Sequence, residues 1–190
     1  LELVDRALRD AGFGEGYEPP RARTAVLLGA GGGMGSLGLH YAFRALLPEF
    51  FAKVPAELLS SLPEWTEDSF PGVLPNVITG RITNRFDFGG VNFTVDAACA
   101  SSLAAVYLAC QELTNGTADL AIAGGVDPIN EAFAYTCFSK TTALSPRGRS
   151  RAFDASADGI AIAEGLATIV LKRRVDAERD GDRIYALIKG

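Results

Sequence analysis

In the stretch Val91–Leu103, VNFTVDAACASSL, one cysteine falls where one sequence pattern gives way to another. Val91, Phe93 and Val95 alternate with Asn92, Thr94 and Asp96, which predicts a half-buried strand. From Ala100 the residues are small and apolar, and no glycine or proline interrupts them before Gly116. That text predicts a helix that is apolar nearly all round and therefore buried. Cys99 sits at the junction, in the first turn expected of the helix. A thiol there faces unpaired backbone N–H groups and the positive end of the helix dipole. Both favour the anionic sulfur, which is the nucleophile. The competing reading is a small buried hydrophobe, the ordinary role of a free cysteine. Ser101 and Ser102 read as helix-capping or packing residues, and Asp96 as an acceptor of backbone N–H bonds in the same turn.

Other chemistries find less support. Gly33-Met34-Gly35-Ser36-Leu37-Gly38 has G-x-G-x-x-G spacing after a predicted strand, the opening of a dinucleotide site. The second strand with a terminal acidic residue, due about twenty residues later, is replaced by the proline-cut text LLPEFFAKVPAELL. In a chain with 21 glycines the match reads as tight turning at a strand end. His40 lies among Leu39, Tyr41 and Phe43, a structural or surface histidine rather than a base. Cys99, Cys110 and Cys137 have no metal-ligand spacing. Asp154, Asp158 and Glu164 sit in loop text and read as solvated or backbone-bonding carboxylates. Arg147, Arg149 and Arg151 form either a solvated basic loop or a docking site for an acidic protein or a phosphate.

The elements that must hold Cys99 follow from patterning. Thr24–Gly29 and Asp119–Gly124 are apolar runs of strand length, each ending in glycine. Leu1–Ala11 is an amphipathic helix closed by Gly12. Ser36–Trp65 is helical text broken by Pro48, Pro55 and Pro63, suited to capping a core or to a contact between protomers. A short helix falls within Pro71–Arg85, another within Asn130–Phe138, and Phe138–Asp158 is a long loop. Ile160–Leu171 reads as two strand halves bent at Glu164-Gly165, and Ile184–Lys189 as a closing strand. Strands alternating with helices predict an α/β layered core. The 190 residues suffice for one sizeable core, and their 48% hydrophobic and 22% charged content is that of an ordinary globular protein. A net charge of −5 without a basic helix argues against nucleic acid. No apolar stretch approaches membrane-spanning length, and an odd cysteine count without a signal-peptide layout suits a reducing cytoplasm.

VDAACASSL resembles the active-site signature of the β-ketoacyl synthases (ketosynthases). The likeness continues in register through GRITNRFDFGG, AIAGGVD, FSKTTALSPRGRSRAFDASADGIAIAEG and LKRRVDAERDGDRIYALIKG, over essentially the whole chain. FGGVN, where many modular relatives have a Gly-Pro-Ser turn, and the extended Ser36–Trp65 stretch resemble the polyunsaturated-fatty-acid and iterative polyketide type. The resemblance implies a thiolase-like fold, an α-β-α-β-α sandwich, in a protein that is usually a homodimer. It implies that Cys99 is the catalytic residue, taking an acyl group from the phosphopantetheine thioester of an acyl carrier protein. A malonyl thioester then loses carbon dioxide, and the carbanion attacks the acyl-cysteine. No cofactor or metal is expected to bind directly.

By the same resemblance, residues 1–190 are a partial ketosynthase domain, lacking its first strand and most of its C-terminal half. The family's two catalytic histidines belong to that half, and His40 matches neither, so condensation by these residues alone is not expected. IAIAEGLAT departs from the family at Ala163 and Leu166, which bears on the turn or the substrate channel. Two alternatives stand beside this reading. One is a thiolase-fold transferase acting on coenzyme A esters; the other is a non-catalytic partner that binds the carrier or sets chain length.

Overall fold

A computed structural model describes residues 1–14, 16–31, 36–128 and 131–189. In chain order the elements are α1 (Glu2–Asp10), β1 (Thr24–Gly29), α2 (Ser36–Phe50), α3 (Ala56–Ser60), α4 (Ser69–Val73) and α5 (Asn76–Phe86). There follow β2 (Asn92–Val95), α6 (Ser101–Thr114), β3 (Leu120–Asp127), α7 (Ala132–Lys140), β4 (Gly165–Leu171) and α8 (Arg174–Asp180). The chain divides into two compact units. One comprises Leu1–Gly33, Thr66–Val126 and Leu166–Gly190; the other comprises Met34–Trp65 and Asp127–Gly165.

The first unit is built on a sheet of order β2-β1-β3-β4. β1 lies parallel to β2 and to β3, with Gly29 opposite both Val95 and Gly125 at the C-terminal edge. All six residues of β1 are buried, as its continuous apolar text requires of a central parallel strand. Alternate side chains leave by opposite faces. Val26 and Leu28 of β1 join Leu120 and Ile122 of β3 against Val4 and Leu8 of α1 and Ile82 of α5. Ala25 and Leu27, with Ala121 and Ala123, pack against Ala105, Ala109 and Leu113 of α6. The result is a helix–sheet–helix sandwich. Fully burying a side chain such as Leu27 or Ile122 contributes about 1.5–3 kcal/mol.

The N-terminal ends of the strands are tied by charge. Arg23, just before β1, pairs with Asp119, just before β3, at 2.5 Å. Arg173 reaches the same Asp119 at 2.5 Å and donates to the carbonyls of Leu113 and Ala118. Lys172 bridges Asp180 at 2.6 Å and Asp182 at 2.5 Å, closing the turn after α8.

The second unit holds α2, α3 and α7. Arg44 of α2 donates to the carbonyls of Leu59 and Leu62, and Tyr41 packs on Trp65 with ring centroids 4.7 Å apart. The loop after α7 is cross-braced. Leu144 bridges Ile160, Ser145 Oγ donates to Asp158 at 2.7 Å, and Arg147 pairs with Asp158 at 2.5 Å.

Several expectations need correction. Pro48 does not break α2, which runs on to Phe50; in the last turn it removes only one donor, and Phe51 N–H still reaches the Leu47 carbonyl. Ile184–Lys189 forms no strand. Tyr185 and Ile188 are 73% and 59% exposed, and the segment lies on no sheet edge among the described residues. Ile160 makes only an isolated bridge, and the strand expected from it begins at Gly165. Arg174–Asp180, a charged segment for which patterning predicts no element, is helical. α6 is not buried all round. Ser101, Ala105, Ala109 and Leu113 are buried at four-residue steps, while Leu103 and Tyr107 are 73% and 63% exposed.

Candidate active site

Cys99 lies beyond the C-terminal end of β2, in the turn that leads into α6. Gly29 and Val95, the last residues of β1 and β2, lie level with Gly125 of β3, so the turn stands at the C-terminal edge of the parallel strands, where α/β proteins place their ligands. Cys99 is not in the first helical turn, as the sequence suggested. The N-cap is Ala100 and the first helical residue is Ser101. The reason is steric and local. Ala98 adopts φ +49°, a left-handed conformation that directs the chain away from the strand one residue before Cys99. For a residue with a Cβ this costs about 1 kcal/mol or more.

Two side chains offset that cost. Asp96 Oδ1 accepts the N–H of Ala98 at 2.9 Å. Ser101, 7% exposed, accepts the N–H of Ala97 on its Oγ at 2.8 Å and donates the hydroxyl to the Ala98 carbonyl at 2.6 Å. Asp96 therefore plays the backbone-bonding part read from the sequence. Ser101 is no ordinary cap, because its hydroxyl reaches back across the turn and not forward into the helix. Sequence reasoning missed the left-handed Ala98, and no residue signal marked it, since glycine, asparagine or aspartate is the usual sign of positive φ. Within this frame Cys99 is exposed and free.

α6 comes close to β1 here. A Cβ built on Gly29 would lie 2.4 Å from the backbone carbonyl carbon of Ser101, and one on Gly125 would lie 2.8 Å from Ser102 Cβ. Asp96 lies against Gly31, where a built Cβ would be 3.5 Å from Oδ1. Gly33, Met34 and Gly35 of the G-x-G-x-x-G spacing lie outside the described residues.

The remaining candidates are placed elsewhere. His40 is an exposed residue of α2. Asp158 is held below the usual carboxylate range by the Ser145 hydroxyl and by Arg147, and Asp154 by the N–H and hydroxyl of Ser156. Arg147 is thus engaged with Asp158, and Arg151 donates to Ser156 Oγ at 3.0 Å. Cys110 lies within α6 and Cys137 within α7. Among the described residues no three or more His, Cys, Asp or Glu gather as metal ligands. A cavity of about 1010 Å³ in the first unit is lined by Leu103, Tyr107, Cys110, Ile169, Tyr185 and Ile188, and Cys99 is not among its lining residues.

Comparison with known proteins gives this geometry a context. Residues 1–177 match the family model described as beta-ketoacyl synthase, N-terminal domain. The chain is 42% identical over 202 residues to a polyunsaturated fatty acid synthase polypeptide of Thraustochytrium sp.. That match covers 100% of this chain and 7% of the relative. Identity is 38% over 190 residues to a phenolphthiocerol/phthiocerol polyketide synthase polypeptide of Mycobacterium tuberculosis, covering 100% of this chain and 9% of that protein. Among solved structures, the oxazolomycin ketosynthase domain of Streptomyces albus aligns with a TM-score of 0.70 at 31% identity, over 96% of this chain and 29% of the other. The ketosynthase from module 6 of the bacillaene synthase of Bacillus subtilis aligns with a TM-score of 0.69 at 28% identity, over 94% and 26%. The helix–sheet–helix unit is accordingly part of a thiolase-like ketosynthase fold. The chain belongs to the β-ketoacyl synthase family and corresponds to its N-terminal domain.

Proposed function

We propose that Cys99 is the acyl-carrying nucleophile of a β-ketoacyl synthase. The observation that carries this reading is an exposed, free thiol on a hydrogen-bonded turn between a parallel strand and a helix packed on the sheet. In the first step the sulfur of Cys99 attacks the carbonyl of an acyl thioester. The carbon–sulfur bond to the carrier breaks, and the carrier thiol leaves with the proton that Cys99 gives up. In the second step a malonyl thioester loses carbon dioxide, and the resulting carbanion attacks the acyl-cysteine carbonyl. Cys99 is expelled, and a β-ketoacyl thioester is released on the carrier.

The partners of this reaction are an acyl carrier protein, whose phosphopantetheine arm presents the substrate, and acyl and malonyl thioesters. The two relatives named above, a polyunsaturated fatty acid synthase and a polyketide synthase, support fatty acid or polyketide assembly as the setting. The chain forms part of a ketosynthase domain, and the histidines needed for decarboxylation belong to the remainder of that domain. A homodimer is part of the proposal. Leu39, Phe43, Leu46 and Phe50 recur at helical spacing along α2 and are all exposed, a face that a second copy would cover. Three free cysteines suit a reducing cytoplasmic compartment, and no described helix is long and apolar enough to cross a membrane.

The reading is tested by exposing the protein to an acyl thioester and locating the adduct by mass spectrometry. The expected result is one acyl group on Cys99 and none on Cys110 or Cys137, lost in Cys99→Ala. A protein that acquires no acyl group would favour a non-catalytic, carrier-binding role.

A further inference from the structure

We infer that Ser101 is a positioning residue for Cys99, acting through the backbone conformation of Ala98; this rests on the acylation reading above. Among the described residues Ala98 is one of four non-glycine residues at positive φ, with Asp87, Thr142 and Phe153. It has no side-chain group with which to hold that conformation. Its stabilisation must come from its N–H and C=O, and each has a side-chain partner. Asp96 Oδ1 accepts from the N–H at 2.9 Å, and the Ser101 hydroxyl donates to the C=O at 2.6 Å.

The two partners are not equivalent. Asp96 is exposed, whereas Ser101 is 7% exposed and its oxygen also accepts the Ala97 N–H at 2.8 Å. The buried hydroxyl thus spans both peptide groups on either side of the Ala97–Ala98 pair, and it belongs to the first residue of α6. Ser101 is itself seated by the close approach of its backbone to Gly29 of β1. A rigid reference, the packed sheet, is connected through Ser101, by its hydroxyl and its backbone N–H, to the dihedral angles that aim the Cys99 side chain. The Ala98 carbonyl also accepts the Ser101 N–H at 3.1 Å, and the Ala97 carbonyl the Ala100 N–H at 3.1 Å. Those bonds suit a right-handed turn equally well, so loss of the hydroxyl lets Ala98 relax toward the right-handed region, which rotates the Cα–Cβ direction of the next residue while leaving the thiol exposed. Strain that is held by the surrounding structure at a reacting group is the expected form of such pre-organisation.

The test compares the full chain as wild type, Ser101→Ala and Ser101→Ala/Ala98→Gly. Three quantities are read: the three-bond HN–Hα coupling of Ala98, acyl transfer to Cys99 from an acyl-N-acetylcysteamine thioester, and alkylation of Cys99 by iodoacetamide. In Ser101→Ala the Ala98 coupling leaves its left-handed value. Acyl transfer, which needs a directed sulfur, falls about tenfold or more. Alkylation needs only an exposed sulfur and changes by less than about twofold. Glycine takes positive φ without a clamp, so the double variant recovers about half or more of the lost transfer rate. The inference is overturned if Ala98 stays left-handed in Ser101→Ala, or if transfer and alkylation fall by the same factor together with Tm. If Ser101→Ala does not fold, the double variant must fold and acylate; its failure in either respect overturns the inference. A wild type that never acylates Cys99 would instead refute the acylation reading, and the Ala98 coupling would still decide whether Ser101 is the clamp.

Discussion

Gly29 and Ser101 touch where β1 ends and α6 begins: a Cβ on Gly29 would stand 2.4 Å from the Ser101 carbonyl carbon and 2.5 Å from the Ser102 nitrogen. Both obstacles are backbone, so neither can rotate away. Gly29→Ala must displace the start of α6 from the sheet. The expected cost is about 3 kcal/mol, the upper part of the range for overpacking, read as a lower urea midpoint. Because the displaced residues carry the turn of Cys99, acylation by an acyl thioester should fall even at temperatures where the variant remains folded. A variant as stable as wild type would show that the helix can shift freely against β1.

Asp119 links the charged edge of the same sheet to pH. Hydrogen bonds from Arg23 and then Arg173 hold its pKa at about 2, below the ordinary 3.8. A carboxylate with a depressed folded pKa stabilises the fold fully above its unfolded value and loses that contribution as pH falls through the folded one. The stabilising effect of Asp119 is therefore present at pH 7 and fades between about pH 4 and pH 2. The group is one-third exposed, so solvent screening reduces it to the order of 1 kcal/mol. Urea unfolding of wild type and Asp119→Asn should differ at pH 7 and converge as pH approaches 2.

The sequence carried the strands better than the turn that matters most. Thr24–Gly29 was legible residue for residue, because a central parallel strand is apolar on both faces and glycine marks its end. The start of α6 was not. Ala97, Ala98, Ala100, Ser101 and Ser102 are small enough to suit either a turn or a helix, and the deciding contact, Gly29 with Ser101, joins residues far apart in the chain. Ala98 hides its positive φ behind a residue type that seldom adopts one. Ile184–Lys189 has strand composition, but a strand also needs a neighbouring ladder, which composition does not encode. α8 escaped notice for the opposite reason. Arg174–Asp180 has little apolar periodicity and is held by Arg173–Asp176 and Arg179–Asp176 pairs and by one buried residue, Ala177.

Lys172 presents a balance that one substitution can tip. Burial opposes its charge, but hydrogen bonds to Asp180, Asp182 and Tyr17 outweigh that and raise its pKa. Its side chain is only 12% exposed, and those of Asp182 and Asp180 are 14% and 26% exposed. Lys172→Met would leave two carboxylates facing each other around an apolar tip. The loss of one partner from such a cluster costs about 3 kcal/mol. Adding Asp182→Asn removes the residual repulsion, so the double variant should recover part of the lost Tm. Equal Tm values for the single and double variants would argue that the ammonium group contributes through packing alone.

The two faces of α6 should answer differently to substitution. Ala105 and Ala109 are fully buried against Ala25, Leu27, Ala121 and Ala123, and side chains this small let the helix axis lie close to the sheet. Ala109→Leu inserts atoms where none fit and should cost about 2 kcal/mol. Tyr107 is 63% exposed on the other side, and Tyr107→Ala should change the stability of this chain by less than about 0.5 kcal/mol. The helix also sets the height of Ser101 above the sheet, and through the Ser101 hydroxyl the conformation of Ala98. Ala109→Leu should therefore slow acyl transfer to Cys99 although the substitution lies more than two helical turns away. Urea midpoints and the rate of the mass-spectrometric adduct, measured on both variants, separate the faces; equal effects from the two substitutions would mean that α6 is not seated on the sheet by its alanines.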